Sequence, residues 1–285
     1  MKNIPVRQIS KTKKEPNFSE SFSIRDVREV LAGNDMVQEL HRHAFYYLLA
    51  LKKGRGKHEI DFASHDVRDH SVFVMRPGQV HQIVLKAEST GYLVGFNADF
   101  YNPYDKVTRQ LLRKANRMNC YRLHASQSKK IFLILNEIFH EHTTKQDAYQ
   151  EAIKANLGIL YLELARLQGK STSKKTNSYA QERAAEFLEL LETHISSHKQ
   201  TSEYANMLNL SAYQLNSITK ATLGKTCSDL INDHVVLEAK RYLLATSNQV
   251  TQIAFHLGYE DVSYFIRFFK KHTGYSPEAF RHNFG

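Results

Sequence analysis

The sequence has no tryptophan, five prolines and only two cysteines, Cys120 and Cys227, among its 285 residues. Two cysteines so far apart form neither a disulfide framework nor the paired spacing of a zinc site. No apolar run approaches the length of a membrane span, and residues 1–20 lack the apolar core of a secretory signal. We therefore expect a protein of the reducing cytoplasm, with no membrane partner.

Two signatures of enzymes are also missing. The twelve glycines include no phosphate-binding loop, and there is no Ser-His-Asp or Cys-His arrangement of the kind that activates a nucleophile. Hydrophobic residues make up 42% and charged residues 24% of the chain, which is typical of globular domains. A chain of this length can form two domains with separate cores.

Basic residues outnumber acidic ones, and the net charge is +10. Such an excess suggests a polyanionic partner. However, residues 178–285 carry ten basic and eleven acidic residues, a net charge of −1, so that +11 falls on residues 1–177. In the last third of the chain, only local clusters such as Arg267, Lys270 and Lys271 can therefore indicate a surface for a polyanion.

Residues 249–281 contain two short stretches with the apolar spacing of helices, one on each side of Gly258. Gly258 suits the left-handed conformation that often ends a helix, and Asp261 can cap the start of the next one. Two short helices joined by a glycine turn predict a helix-turn-helix. The second helix is expected to expose polar and basic residues that can contact bases and phosphates.

This segment resembles the second helix-turn-helix of the AraC/XylS family of bacterial transcription regulators. The matching residues are Ile253-Ala254, Gly258-Tyr259, Asp261, Ser263-Tyr264-Phe265, Arg267, Phe269-Lys270-Lys271, Gly274, Ser276-Pro277 and Phe280-Arg281. Residues 201–224 resemble the first motif of the family, with Ser211 as the helix cap, and residues 230–246 resemble the helix that links the two motifs. The resemblance implies an all-α DNA-binding domain over residues 179–285.

The resemblance places the candidate contacts with double-stranded DNA on the two recognition helices. They are Ser211, Tyr213, Gln214, Asn216, Ser217 and Lys220 on the first helix, and Val262, Ser263, Tyr264, Arg267, Lys270 and Lys271 on the second. Arg267 is the leading candidate for reading a base, since arginine can bind guanine through two hydrogen bonds. In the first motif, Ser217 and Thr219 stand where the family commonly has an arginine and an aromatic residue. That helix either reads bases weakly or mainly positions the protein on the DNA backbone.

Residues 21–100 read as β-rich. Short apolar or alternating stretches end at glycine, proline or polar turns, which is typical of a sandwich or barrel; they cover residues 45–51, 59–62, 71–75, 82–85 and 92–96. The string His41-x-His43, followed by Pro77-Gly78-Gln79-Val80-His81, resembles the cupin-like sensing domain found in many AraC/XylS proteins. An α+β protein is expected, with an N-terminal cupin-like β-barrel.

Three histidines in one barrel allow three interpretations. Imidazole is a ligand for zinc, iron or copper, but metal-binding cupins usually have a carboxylate a few residues after the paired histidines. Residues 44–50 contain none, and Glu59 comes much later. In regulators these positions often line a pocket for an organic ligand. We predict an effector site at His41, His43, Tyr46 and His81, without a metal or cofactor; a bound metal and purely structural histidines remain the alternatives.

Residues 106–168 change to a helical period. A short helix near residues 107–112 precedes two amphipathic helices at 126–140, capped by Ser126, and 148–167. In the resembled family such a hairpin mediates dimerisation, although it could simply pack on the barrel. Residues 169–178 are polar and form the predicted linker, and residues 1–20 are expected to be a flexible arm.

The sequence therefore predicts a DNA-binding transcription regulator, controlled by a small molecule in a domain spanning residues 21–168. A homodimer is expected, and RNA polymerase is a further candidate partner. One alternative is a dimeric regulator that binds DNA without any ligand. A cupin-type metalloenzyme is less favoured because of the attached DNA-binding domain, and no enzymatic activity is predicted.

Overall fold

The structure, a computed structural model, describes residues 6–7, 21–101, 103, 105–168 and 178–284. These residues fall into two compact units, divided between residues 171 and 172. The division lies inside the predicted linker 169–178, of which only Ser178 is described. The predicted α+β fold class, with a cupin-like N-terminal unit and an all-α C-terminal unit, is confirmed.

Within the described residues, ten strands and four helices build the N-terminal unit. The strands are β1 (Val6–Arg7), β2 (Phe22–Asp26), β3 (Met36–His43), β4 (Tyr46–Lys53), β5 (Gly56–Ile60), β6 (Ala63–Val67), β7 (Ser71–Met75), β8 (Val80–Leu85), β9 (Thr90–Phe96) and β10 (Cys120–Arg122). The helices are α1 (Val27–Leu31), α2 (Lys106–Ala115), α3 (Ala125–Thr144) and α4 (Tyr149–Leu167). The strands form two five-stranded sheets in the orders β1-β3-β8-β5-β6 and β10-β7-β4-β9-β2.

The central strands β4 and β7 are apolar in continuous runs because both of their faces are covered. Leu49 and Phe73 belong to a core that also contains Ile83 and Leu85 of the other sheet. Their neighbours point the opposite way, since successive side chains of a strand alternate between its faces. Leu48, Ala50, Val72 and Val74 accordingly pack in a second core with residues of α3 and α4.

The predicted helical hairpin is present as α3 and α4, but its start differs from the prediction. Ser126 does not cap α3; the helix begins at Ala125, and His124 is its N-cap. The backbone N–H of His124 donates to Oε1 of Gln127 at 2.9 Å. This bond gives the N–H of the N-cap residue a partner, as in a capping box. Among the described residues, no helix has the length and apolar composition needed to cross a bilayer.

Several elements of this unit were not predicted, or were predicted in the wrong place. Strands β2, β6 and β10 and helix α1 were not predicted from any sequence pattern. The strand predicted over residues 59–62 ends at Ile60, because Asp61 and Phe62 have positive φ and form the turn between β5 and β6. Within the predicted arm 1–20, β1 pairs in parallel with β3 at Arg42 and His43; the other residues of the arm lie outside the described ranges.

Over residues 178–284, seven helices build the C-terminal unit: α5 (Ser178–His194), α6 (Thr201–Met207), α7 (Ala212–Leu223), α8 (Cys227–Ala245), α9 (Val250–His256), α10 (Val262–Thr273) and α11 (Pro277–Phe284). Helices α6–α7 and α9–α10 form the two predicted helix-turn-helix motifs, and α8 connects them. The predicted caps are confirmed: Ser211 Oγ accepts from Gln214 N, and Asp261 Oδ1 accepts from Ser263 N and Tyr264 N. Helix α8 starts three residues before the predicted stretch 230–246.

The turn after α9 packs closely on the connection between α5 and α6. Gly258 has a φ of +74°, and a Cβ at this position would lie 1.7 Å from the carbonyl oxygen of Ser196. Lys199 reinforces the contact, because its Nζ donates to Gly258 O at 3.1 Å and lies 4.9 Å from the ring centre of Tyr259. Only glycine fits this approach, and it fixes the second motif against the segment that leads into the first.

Replacing Gly258 by alanine should destabilise the C-terminal unit through both a strained φ and a backbone collision. The loss in free energy of unfolding should clearly exceed the roughly 1–2 kcal/mol of a left-handed φ alone. Gly274→Ala is the matched control, since its φ is +82° but no atom lies within 4 Å of the added Cβ. Urea denaturation of the full chain, followed by circular dichroism, compares the two. Equal losses would contradict the importance of the Ser196 contact.

Candidate functional site

The first recognition helix, α7, exposes fewer free side chains than the sequence suggested. Ser211 and Gln214 bond to each other's backbone: Gln214 N donates to Ser211 Oγ at 3.1 Å, and Ser211 N donates to Gln214 Oε1 at 2.8 Å. Tyr213 is 83% exposed, and Ser217 and Lys220 are also exposed. Tyr213, Ser217 and Lys220 are therefore the residues of α7 that are best placed to meet DNA.

Asn216 was predicted as an exposed residue of α7, and that placement is wrong. The residue is half-buried, and its Oδ1 accepts a hydrogen bond from the backbone N–H of Cys227 at 2.9 Å. This N–H belongs to the first turn of α8, where no partner exists within the helix. Asn216 thus joins the recognition helix to the linking helix, a contact that the periodicity of α7 alone cannot reveal.

The second recognition helix, α10, has one buried and one exposed face. Phe265 and Phe269 are buried, whereas Ser263, Tyr264, Arg267, Lys270 and Lys271 are exposed and Val262 is half-buried. Arg267 Nη2 lies 3.9 Å from Asp261 Oδ2, with both side chains more than half exposed. An ion pair of this kind contributes little, so the guanidinium can leave Asp261 for another partner.

Arg281 also matched the family pattern, but its side chain is used inside the unit. Its Nε donates to Leu243 O at 2.9 Å and its Nη2 donates to Asn248 O at 2.6 Å. These bonds satisfy carbonyl groups near the end of α8 and the start of the second motif. Arg281 therefore joins α11 to the linking helix. Its role is structural, unlike that of the exposed cations of α10.

The three predicted histidines come together between the two sheets. His41 and His43 lie on one face of β3, and His81 pairs with His41 from β8. All three are buried, and each offers a ring nitrogen within 4.8 Å of those of the other two. His81 Nε2 lies 2.9 Å from His43 Nε2, and His41 Nδ1 donates to Glu39 O at 2.7 Å.

A fourth histidine, His58, extends this cluster and was missed in the sequence. It is fully buried in β5, and its Nε2 lies 2.9 Å from His81 Nδ1. Burial, with smaller contributions from His65 and His41, lowers the pKa of His58 to about 3, so its imidazole is neutral at physiological pH. The available signal was its spacing from the buried Ile60, because residues two apart on a strand share a face.

Tyr46 was predicted with the histidines, but it lies on the opposite face of β4. Its ring stacks on Phe96 with centroids 5.1 Å apart, and it packs against the core formed with the helices. The aromatic residue at the histidines is Tyr47, whose ring is nearly parallel to that of His43 at 5.1 Å and lies 5.4 Å from that of His81. Glu59 is also outside the cluster, accepting from Gln82 at the surface.

A separate cavity of about 230 Å³ lies between the start of α3 and the end of α4. It is lined by Ser126, Gln127, Lys130, Ile131, Glu163 and Leu167. Across it, Lys130 Nζ forms an ion pair with Glu163 Oε2 at 2.8 Å. The charges that line this cavity are therefore already paired with each other.

Known families match both units of the chain. A family model described as an AraC-like ligand binding domain matches residues 32–158, and one described as a helix-turn-helix domain matches residues 204–283. The chain belongs to the AraC family of transcription regulators. It combines the N-terminal ligand-binding domain and the C-terminal helix-turn-helix DNA-binding domain of that family.

Curated relatives of this AraC-family chain are transcription regulators of similar length. The transcriptional activator RhaS of Escherichia coli O157:H7 is 22% identical over 85% of this chain and 86% of its own. The uncharacterized HTH-type transcriptional regulator YfiF of Bacillus subtilis is 21% identical over 85% of this chain and 78% of its own.

Solved structures also align with this chain. ToxT from Vibrio cholerae O395 covers 92% of this chain and 97% of its own, with 14% identity and a TM-score of 0.43. The C-terminal domain of the response regulator yesN from Fusobacterium nucleatum covers 36% of this chain and 99% of its own, with 30% identity and a TM-score of 0.34.

Replacing Asn216 by alanine should lower the free energy of unfolding by about 1–3 kcal/mol, since the N–H of Cys227 would lose its partner in a partly buried place. Ser217→Ala, one position further along α7 and exposed, should change it by less than about 0.5 kcal/mol. Thermal and urea denaturation of the two variants test this difference. If both variants are as stable as the wild type, the hydrogen bond from Cys227 N to Asn216 does not stabilise the unit.

Proposed function

We propose that this AraC-family regulator reads a specific DNA site with α7 and α10, and that a small ligand in the N-terminal unit controls its affinity for that site. Reading DNA requires access to the chromosome, so we place the protein in the cytoplasm. We assign it no enzymatic activity, since its relatives are regulators. Contact with RNA polymerase stays a prediction.

The observation that supports DNA reading most strongly is the two-faced helix α10. Its buried phenylalanines fix the helix in the unit, and its opposite face presents Ser263, Arg267, Lys270 and Lys271. Ser263 and Arg267 are four residues apart and therefore neighbours on that face. We assign Arg267 to a base edge and Lys270 and Lys271 to phosphates, where lysine acts as a point charge.

Helix α7 has a weaker chemical basis for reading bases. Tyr213, Ser217 and Lys220 are its exposed candidates, and none of them is an arginine, whose planar guanidinium has the fork of donors that matches the guanine edge. We propose that α7 positions the protein on the duplex, with Lys220 on a phosphate. Helix α8 has 19 residues and is therefore about 28 Å long, which suits two helices in successive major grooves about 34 Å apart.

The ligand site that we favour is the histidine cluster between the sheets. His41, His43 and His81 stay candidates, and Tyr47 takes the place that the sequence assigned to Tyr46. A ligand changes affinity for DNA only by binding better to one state of the protein than to another. A regulator that binds DNA constitutively is the alternative, and a metalloenzyme is disfavoured by the family of the chain.

We further propose that the regulator acts as a homodimer through the α3–α4 hairpin. Each helix of the hairpin exposes a large apolar side chain: Leu133 of α3 is 57% exposed and Ile159 of α4 is 46% exposed. The opposite faces of both helices are buried in the core of the unit. Two self-associating subunits would present four recognition helices to DNA.

Arg267→Ala should weaken binding to the preferred DNA site by about 1–3 kcal/mol and relax the preference at one base pair. Lys271→Ala is the comparison on the same face. It should weaken binding to all sequences alike, and it should reduce the slope of the logarithm of the binding constant against the logarithm of salt concentration by about one. Fluorescence anisotropy on the selected site and on single-base variants, at several salt concentrations, measures both. A uniform loss in Arg267→Ala would mean a phosphate contact and would contradict the assigned base reading.

The double variant Leu133→Glu/Ile159→Glu should shift the protein from dimer to monomer, because charged side chains in an apolar interface lose their hydration. Val37→Glu is a suitable control, since Val37 is 68% exposed on β3, away from the hairpin. Sedimentation velocity at micromolar concentration gives the oligomeric state. A monomeric wild type, or a double variant that stays dimeric, would exclude this interface.

A further inference from the structure

We propose that the ligand of the N-terminal unit is a divalent late first-row transition metal ion such as Zn²⁺, bound by Nε2 of His41, His43 and His81, and that His58 positions His81 for it. That the metal controls DNA binding rests on the proposed function. That the metal binds at this site depends only on the geometry of the four histidines.

The first support is the convergence of the three rings. Their ligand atoms lie within 4.8 Å of one another, and all three residues are buried. At metal–nitrogen distances of 2.0–2.1 Å, tetrahedral coordination needs nitrogen atoms about 3.3–3.4 Å apart. The distances between these nitrogen atoms extend from 2.9 Å, between His81 Nε2 and His43 Nε2, up to at most 4.8 Å, a range that includes the required value. Side-chain rotations of roughly 1.5 Å or less would reach the coordination distance.

The second support is that the other nitrogen of two of these rings is already engaged. His41 Nδ1 donates to Glu39 O at 2.7 Å, which leaves its Nε2 as the ligand atom. His81 Nδ1 lies 2.9 Å from His58 Nε2, so that a proton on Nδ1 would be donated to His58. Metal-ligating histidines commonly make such a bond through their second nitrogen, which fixes the tautomer and the ring orientation.

The third support is the size of the space between the rings. The ring centroid of His81 lies 4.1 Å from that of His41, 4.9 Å from that of His43 and 5.1 Å from that of His58. The ring of Tyr47 on β4 lies against the rings of His43 and His81. Small side-chain movements would make room for a single ion between these rings. An organic effector at the same point would require the histidine side chains to move much further apart.

His43 is not followed by the carboxylate that metal-binding cupins usually have a few residues after the paired histidines. Three neutral imidazoles bind zinc without one, and they leave a fourth position for water or an anion. The donor set also restricts the metal, because imidazole favours zinc, copper, nickel and iron, whereas calcium and magnesium prefer oxygen ligands. The buried cluster therefore fits a transition metal and does not fit an alkaline-earth ion.

The test measures metal binding directly on the purified full chain after treatment with a chelator. Zn²⁺ is titrated in competition with a chromophoric chelator, and Co²⁺ is added separately as a spectroscopic probe. The wild type should bind one Zn²⁺ per chain tightly, and the Co²⁺ form should show the absorption of nitrogen coordination. His41→Gln/His81→Gln should lose this site, whereas His140→Ala, an exposed histidine of α3, should keep it.

His58 has its own test as a positioning residue. His58→Leu should keep the stoichiometry but weaken Zn²⁺ affinity roughly 10–100-fold. His58→Gln should recover part of that loss, because its amide oxygen can accept from His81 Nδ1. Equal affinity in His58→Leu and the wild type would overturn the positioning role.

Metal binding by the wild type decides whether the site exists, even if a buried variant fails to fold. Zn²⁺ binding that is weak or scattered over several equivalents, with a Co²⁺ spectrum typical of aqueous coordination, would mean surface histidines only and would overturn the site. Binding to a selected DNA sequence is measured on the same samples. A chain that binds its DNA but no metal contradicts this inference alone, and a chain that binds metal but no specific DNA contradicts the proposed function alone.

Discussion

The close approach of Gly258 to the carbonyl oxygen of Ser196 determines how the C-terminal unit is assembled. No side chain fits between these two backbones, and Lys199 and Tyr259 surround the contact. Asn216 bonds to the backbone at the start of the linking helix α8, and Arg281 bonds to the backbone at its end and just beyond it. Each recognition helix is thus fixed through contacts outside its exposed face, and that face keeps its polar side chains available for DNA.

The N-terminal unit depends on a different constraint, the alternation of side chains along β4 and β7. One set of residues closes the space between the sheets, and the other forms the core with α3 and α4. Since the same strands contact both the histidine layer and the hairpin, a displacement of the strands on ligand binding would reach the hairpin directly. We propose this route between the ligand and the dimer contact.

Local signals in the sequence were sufficient to predict the helix-turn-helix motifs. Gly258, Asp261 and Ser211 act within one helix turn, and the structure has them in the predicted roles. The predictions that were wrong involved tertiary contacts. Tyr46 and Tyr47 stand in an unbroken apolar run, where the sequence contains no alternation that would show which residue faces the histidines.

The same reason accounts for His58 and Asn216. His58 joins the cluster because β5 pairs with β8. Its spacing from Ile60 indicates only that the two residues share a strand face, and the pairing itself has no local signal. Asn216 has the periodicity of an exposed recognition residue, and only the position of α8 gives it a backbone partner. The residue types therefore indicated the kind of site. Which residues belong to it depended on strand pairing and helix packing.

The most direct measurement is selection of bound sequences from a random DNA library with the purified full chain. Two recognition helices connected by α8 predict enriched sites with two short conserved elements about one helical turn, or 10 base pairs, apart. The element read by α10 should be the more strongly conserved, since it contains the arginine contact. An enriched site with a single element, or no enrichment above that of unrelated DNA, would contradict reading by two helices.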